Sequence, residues 1–346
     1  MNAAVVVTPR SAANTAFSRA PYTGSFAAQE CCPSRRTRSD VVGSLVLNRF
    51  LIERRIGSGG FGTVYEAWDG RLERPVAVKA IESAGSRGSQ RVLREAQAAA
   101  RLNHPGIVTL YELGEEDGNA LLVTELVDGS TLAQLSRDGE LSDRELGEIG
   151  ADLCEALDHA HCRSVVHRDI KPQNVLVTEG GEPRAKLMDF GVARLADSTA
   201  LTLPGDVVGT LAYMAPEQAE GREAGPEADV YSLALMLYEC WSGENPNRRS
   251  TPAATARAIG ARARPLRRLR PDLPRELSDA VDACLDPRPG RRLSLEELGE
   301  AIESSLDSLA DRPPRHDRSL RLRLAAVAAA AVLGAWLAAG HGVLLP

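Results

Sequence analysis

The chain has 346 residues, 43% of them apolar and 25% charged, with a formal net charge of −6. That is length enough for a full core in one large domain or two ordinary ones; the acidic balance argues against the chain as a whole being a polyanion binder and no nucleic-acid partner is expected, while local basic stretches remain open. The cysteines (Cys31, Cys32, Cys154, Cys162, Cys240, Cys284) form no CxxC pair and no His-bearing metal spacing, which points to reduced, incidental thiols rather than a disulfide framework or zinc site.

Residues 1–47 mix Ala, Ser, Thr, Pro and Arg without periodicity and read as a disordered tail. No acidic residue precedes Glu30, a faint transit-peptide trait without the amphipathic helix to match, and Ala3 to Val7 is too short for a secretory signal.

Ordered sequence begins near Arg49, where RFLIERRIG and VYEAWD flank Gly57-Ser58-Gly59-Gly60-Phe61-Gly62. A GxGxxG run also opens dinucleotide-binding folds, but there a helix follows. Here Thr63-Val64-Tyr65-Glu66 is β-prone, so strand-turn-strand is expected, with glycines letting backbone N–H groups approach phosphate. Lys79 ends the strand-like Pro75-Val76-Ala77-Val78, where a lone lysine is ordinarily a solvated edge residue.

RVLREAQAAARL (91–102) is rich in helix formers, with Val92, Leu93, Ala96, Ala99 and Ala100 on one side and Glu95 mid-helix. His104-Pro105 ends that helix and IVTLYELG starts a strand. Leu121 to Gly129 is an apolar strand breaking into a polar turn. From 141 to 163, Leu146, Ile149, Leu153, Leu157 and Ala160 recur at helical steps.

The densest chemistry lies between Val166 and Gly191. Asp169, Lys171, Asn174 and Asp189 supply two carboxylates, an amine and an amide within about twenty residues, the group types that phosphoryl transfer needs in one place. VLV after Asn174 and KLM before Asp189 read as strands of a hairpin that would bring both clusters to one edge.

His167-Arg168-Asp169, Asn174 and Asp189-Phe190-Gly191 fill the pattern H-R-D-x-x-x-x-N … D-F-G, and over about residues 49–304 the chain resembles the protein kinase family. The Ala- and Arg-rich composition with an apolar C-terminal segment is similar to bacterial membrane-anchored, eukaryotic-like (Hanks-type) serine/threonine kinases. The resemblance implies an α+β, bilobal fold: a disordered tail (1–47) and a kinase domain (48–304) with a β-rich N-lobe (48–126) and a mainly helical C-lobe (127–304).

It also implies ATP and Mg²⁺ (or Mn²⁺) as cofactors, with ATP held by Ile56, the glycine loop, Val64, Lys79 and the hinge residues Glu125 and Val127. Thr124 would be a small gatekeeper. Asp169 would be the base, Lys79 and Lys171 would neutralise phosphate, and Asn174 and Asp189 would bind metal. Glu95 is the expected partner of Lys79, although Arg91 could compete for it.

Between Asp189 and Ala215-Pro216-Glu217 lies the expected activation loop, with Thr199 and Thr202 as phosphosite candidates beside plain polar-loop readings. Lys171 together with Thr210 resembles the Ser/Thr rather than the tyrosine pattern. His167, Arg168, Glu217, Asp229 and Arg292 would be structural supports. Asp229 reads as a tether of the catalytic loop, an N-cap, or both, and Arg292 as the buried partner of Glu217, with Arg291 one residue away. The cluster Arg262, Arg264, Arg267, Arg268 and Arg270 reads first as a solvated loop, with a docking patch for acidic partners as the alternative.

Residues 305–323 form a basic linker, and Leu324 to Leu345 carries no formal charge. Twenty-two helical residues reach about 33 Å, enough to cross a bilayer, although nine alanines weaken the drive. With arginines on the upstream side only, a single-pass helix in the inner or plasma membrane with the kinase in the cytoplasm is expected. Protein substrates bearing Ser or Thr, the lipid bilayer, and a homodimer for trans-autophosphorylation are the implied partners. A pseudokinase scaffold and a small-molecule phosphotransferase of the same fold are the alternatives.

Overall fold

A computed structural model describes residues 41–59, 62–81, 90, 92–93, 96–97, 99–179, 184–190 and 211–311. Glu95, Gly60, Phe61, Gly191, Thr199, Thr202, Thr210 and the 324–345 segment lie outside them. No helix among the described residues is long and apolar enough to cross a membrane.

The first lobe is a six-stranded sheet in the order β1-β2-β3-β4-β6-β5. Its strands are β1 (Leu45–Val46), β2 (Phe50–Gly59), β3 (Gly62–Asp69), β4 (Arg74–Ile81), β5 (Leu110–Glu116) and β6 (Asn119–Glu125). Every pairing in it is antiparallel. Alternation along β2 to β4 buries Ile52, Tyr65, Ala67, Val76 and Val78 in one cluster, as a sheet with one covered face requires. The 90–99 stretch, α1, is helical at its described positions. Its Val92 and Ala96 pack on Ile81 and Leu122, whereas Ala100 is exposed at the turn that ends it.

The second lobe is mainly helical. Helix α2 (Leu132–Asp138) leads to α3 (Asp143–His161), which starts at a capping box: Glu145 N–H donates to Ser142 Oγ at 3.1 Å and Ser142 N–H to Glu145 Oε2 at 2.8 Å. Short α4 (Pro216–Ala219) precedes α5 (Pro226–Ser242), where the side chains from Ala228 to Tyr238 are all buried. A helix apolar on every side can only sit at the centre, and α5 packs on α3 and on the later α8 (Arg275–Cys284). Between them run α6 (Pro252–Ala258) and α7 (Leu266–Leu269), and α9 (Leu295–Ser305) closes the lobe against α3.

A three-stranded sheet, β7 (Gly129–Thr131), β8 (Val175–Thr178) and β9 (Ala185–Leu187), lies at the junction. Ile107 pairs with Leu187 as an isolated bridge rather than opening β5. Val108 N–H donates to Leu187 O, and Leu187 N–H to Gly106 O, at 3.0 and 2.8 Å. Backbone hydrogen bonds thus stitch the first lobe to the hairpin that carries the site.

Among the described residues, Cys154, Cys162, Cys240 and Cys284 are free thiols. Burial pushes the Cys240 and Cys284 thiols up to about 12, so both stay protonated.

Candidate active site

The β8–β9 hairpin places the polar groups. Val175 pairs with Leu187, and Met188 N–H donates to Asn174 O at 3.0 Å. Asn174 and Asp189 therefore leave the hairpin at the same edge. Asn174 Nδ2 donates to Asp169 O at 2.8 Å and to Asp169 Oδ2 at 3.0 Å. Lys171 Nζ lies 3.0 and 2.8 Å from the two Asp169 carboxylate oxygens. The ammonium expected on phosphate thus neutralises the expected base here.

From the opposite lobe, Lys79 Nζ reaches Asp189 Oδ1 at 2.7 Å. Burial opposes ionisation of Asp189, but Lys79, with Lys171 behind it, outweighs that and holds the carboxyl below its ordinary value. Asn174 Oδ1 and Asp189 Oδ2 accept from no described residue. Two hard oxygen donors, that of Asp189 at the lining of the interlobe cleft, fit Mg²⁺, which takes one or two protein oxygens and completes its shell with phosphate and water. No group of three or more His, Cys, Asp or Glu gathers as a metal site among the described residues.

Two non-glycine residues here hold left-handed backbone, Arg168 (φ 66) and Asp189 (φ 67). Such conformations cost about 1–2 kcal/mol each and persist only where the surroundings impose them. Asp229 is what surrounds the first. Fully buried, it accepts from His167 N–H at 2.8 Å and Arg168 N–H at 2.7 Å, and lies 2.8 Å from His161 Nε2. The N-cap alternative for Asp229 does not hold, because the cap position is Gly225 and Asp229 sits inside the first turn.

The second is held through His167. Its Nδ1 accepts from Asp169 N–H (3.2 Å), so the proton resides on Nε2, which donates to Met188 O (2.9 Å). Phe190 meets the same ring edge-on, with centroids 4.6 Å apart. Gln218 Nε2 donates to Arg168 O at 3.1 Å. Further out, Arg292 makes a bidentate pair with Glu217, at 2.7 and 2.8 Å, both side chains buried. Neighbouring Arg291 is not the partner.

Between the lobes lies an apolar cleft of about 810 Å³ including its open mouth. Ile56, Val64 and Ala77 line one wall and Leu176 and Met188 the other, a slot suited to a flat aromatic ring. Glu125 and Val127 line its rear, and the Val127 N–H has no acceptor among the described residues. The cleft continues past Thr124 to Ala96, Ala99 and Phe190, because these three positions before Phe190 carry small side chains.

Over the polar end lies the β2–β3 hairpin, with Ser58 opposite Thr63 and Gly59 opposite Gly62. It is strand-turn-strand, not the strand-turn-helix of a dinucleotide fold. Gly62 has φ 126, and a Cβ there would stand 2.1 Å from Ala80 O, so no other residue fits.

Sequence reasoning missed His161, Gln218 and Lys186. Each acts on a residue far along the chain, and no local spacing signals such a partner. The basic cluster also divides: Arg270 is not solvated but pairs with Asp143 and Asp272, each at 2.6 Å.

A family model described as a protein kinase domain matches residues 50–301. Serine/threonine-protein kinase PknA of Mycobacterium tuberculosis (strain H37Rv) is 40% identical over 260 residues, 72% of this chain and 59% of that protein. Serine/threonine-protein kinase PrkC of Bacillus subtilis (strain 168) is 35% identical over 278 residues, 79% of this chain and 42% of that protein. The chain thus spans 59% or less of the length of these relatives. Among solved structures, the twitchin kinase region from C. elegans matches with a TM-score of 0.64 at 24% identity, covering 82% of this chain and 52% of that one, a likeness of fold. Two lobes closing on this cleft and a matching family model over most of the length agree: the chain belongs to the protein kinase family.

Proposed function

We propose that the chain transfers the terminal phosphate of ATP to serine and threonine hydroxyls of proteins. The observation that carries this reading is that Lys79 meets Asp189 at 2.7 Å in the cleft while Asn174 meets Asp169 at 3.0 Å, the two pairs joined by the Met188 N–H to Asn174 O bond of the hairpin. The adenine lies between Ile56, Val64, Ala77 and Leu176, with the Glu125 carbonyl and the Val127 N–H at its edge. The backbone of the glycine loop covers the phosphates, and Lys79 meets them once it exchanges Asp189 for phosphate oxygens.

Asp169 orients the attacking hydroxyl and takes its proton as the new oxygen–phosphorus bond forms and the bond to the ADP oxygen breaks. Lys171, bonded to both Asp169 carboxylate oxygens, holds that carboxylate in place and offsets the charge that develops on the transferred group. Mg²⁺, bound through Asn174 and Asp189, supplies charge neutralisation of the phosphates.

Glu95 is assigned to hold Lys79 in its working position. Thr199 and Thr202 are assigned as autophosphorylation sites whose phosphate Arg168 clamps, which favours a homodimer acting in trans. Arg168 Nε is buried with no hydrogen-bond partner among the described residues, as an arginine awaiting an anion would be. Leu324 to Leu345 is assigned as a single membrane span that keeps the kinase domain cytoplasmic, on the strength of its charge-free length and the arginines before it.

The test is phosphosite mapping of the full chain after incubation with labelled ATP and Mg²⁺, beside Asp169→Asn. Equal label in both proteins would end the enzymatic reading. Label on tyrosine or on a small alcohol alone would end the substrate assignment.

A further inference from the structure

Residues 245–271 contain eight arginines and no aspartate or glutamate, in a chain whose net charge is −6. Two of the eight are used inside the fold. Arg248 pairs with Glu239 at 2.5 Å and donates to Tyr213 Oη at 3.0 Å, and Arg270 pairs with Asp143 and Asp272. The other six, Arg249, Arg257, Arg262, Arg264, Arg267 and Arg268, are exposed and have no ion-pair partner among the described residues. Helix α6, the turn after it and α7 therefore present a concentrated positive surface that folding does not require, since like charges side by side only repel.

This surface is tied to the substrate side of the site. Asn247 Nδ2 donates to Ala212 O at 3.4 Å, Arg248 reaches Tyr213, and the backbone of Gly260 packs on Pro216, whose ring lies 3.2 Å from where a Cβ would stand. One turn on, Gln218 holds the Arg168 carbonyl beside Asp169. A chain bound at Asp169 and running over residues 211–216 meets the arginines next.

Two other anionic partners fit less well. The stretch has no aromatic residue on which a nucleic-acid base could stack. Among the described residues the exposed large apolar side chains, Val42, Leu45, Leu51, Leu72 and Tyr111, all lie on the first lobe, and the α6–α7 face presents none of them to a bilayer.

We propose that the α6–α7 surface is a docking site for an acidic segment of the protein substrate, recruiting it electrostatically to the neighbouring catalytic loop. The inference rests on the phosphotransfer reading above, and its test separates the two.

The full chain in neutral detergent is given two fluorescent serine peptides, one extended by a run of glutamates and the other by the same number of glutamines. Binding is read by anisotropy and phosphate transfer by label. The wild type should bind the glutamate peptide about tenfold more tightly at low salt, with the gap closing as salt screens it. In the variant Arg257→Glu, Arg262→Glu, Arg267→Glu, Arg268→Glu the preference should fall below about twofold, with kcat on the glutamine peptide unchanged. A binding preference without label on either peptide leaves the docking site standing and removes the catalytic reading. Equal binding of both peptides by the wild type, or a preference that survives in the variant, overturns the proposal. So does arginine-dependent binding to phosphatidylglycerol vesicles with no peptide preference, which would give the surface to a membrane.

Discussion

Lys186 Nζ lies 2.7 Å from Glu125 Oε1, joining β9 of the catalytic hairpin to the last residue of β6. The other Glu125 oxygen accepts from Thr109 N–H at 3.3 Å, and Glu125 N–H donates to Thr109 O at 2.9 Å. Both partners are partly buried, so the pair is screened less than a surface one. It holds the strand whose end lines the rear of the nucleotide cleft. Lys186→Met should therefore raise KM for ATP about fivefold, equivalent to about 1 kcal/mol, with kcat within about twofold. Lys186→Arg should recover most of the affinity. An unchanged KM in steady-state kinetics would remove the role.

Asp229→Asn tests the tether of the catalytic loop. The amide keeps one acceptor but turns an NH₂ toward donors, so at least one charge-assisted hydrogen bond is lost, worth about 2 kcal/mol. Thermal unfolding should show that loss. A larger effect is expected on kcat than on KM for ATP, because the loop carries Asp169 while the cleft walls stay in place. Equal effects on both parameters would point to general unfolding instead.

For the buried Arg292–Glu217 pair, the two single changes and the double change should differ in kind. Arg292→Met leaves Glu217 buried and uncompensated and should cost about 3–5 kcal/mol in denaturant unfolding. The double variant Arg292→Met, Glu217→Leu should recover a large part of that, since a buried pair replaced by apolar side chains is often close to neutral. A double variant no more stable than the single would show that the pair does more than neutralise itself.

Asp69 supplies a pH signature. The Arg49 guanidinium bonds both its oxygens, at 2.8 and 2.6 Å, and with the N–H groups of Leu72 and Arg71 holds its carboxyl down to about 2, against burial. A carboxyl depressed in the folded state stabilises fully above its ordinary value, and that contribution fades as pH falls toward the folded one. The gap in urea midpoint between wild type and Asp69→Asn should be flat above about pH 5 and shrink between about pH 4 and pH 2. A gap that widens in acid would reverse the assignment.

Much of this architecture was legible before any coordinates. The glycine hairpin, the 141–163 helix and the β8–β9 strands follow from periodicity and from residues contiguous in the chain. The grouping of Asp169, Lys171, Asn174 and Asp189 follows from a spacing of about twenty residues bridged by one hairpin. Resemblance, not periodicity, named Asp229 and the Arg292–Glu217 pair.

By itself the sequence determined the local elements and which reactive groups travel together, because hydrogen-bonded turns and short hairpins depend on neighbours only. The tertiary structure alone decided the long pairings: Lys79 with Asp189, 110 residues apart, His161 with Asp229, 68 apart, and Lys186 with Glu125, 61 apart. It likewise decided that Arg270 turns inward while Arg267 and Arg268 stay in water. The physical reason is that a buried charge takes whichever opposite charge packing delivers. Packing around the central α5 helix is a property of the whole lobe, which no stretch of the chain records on its own.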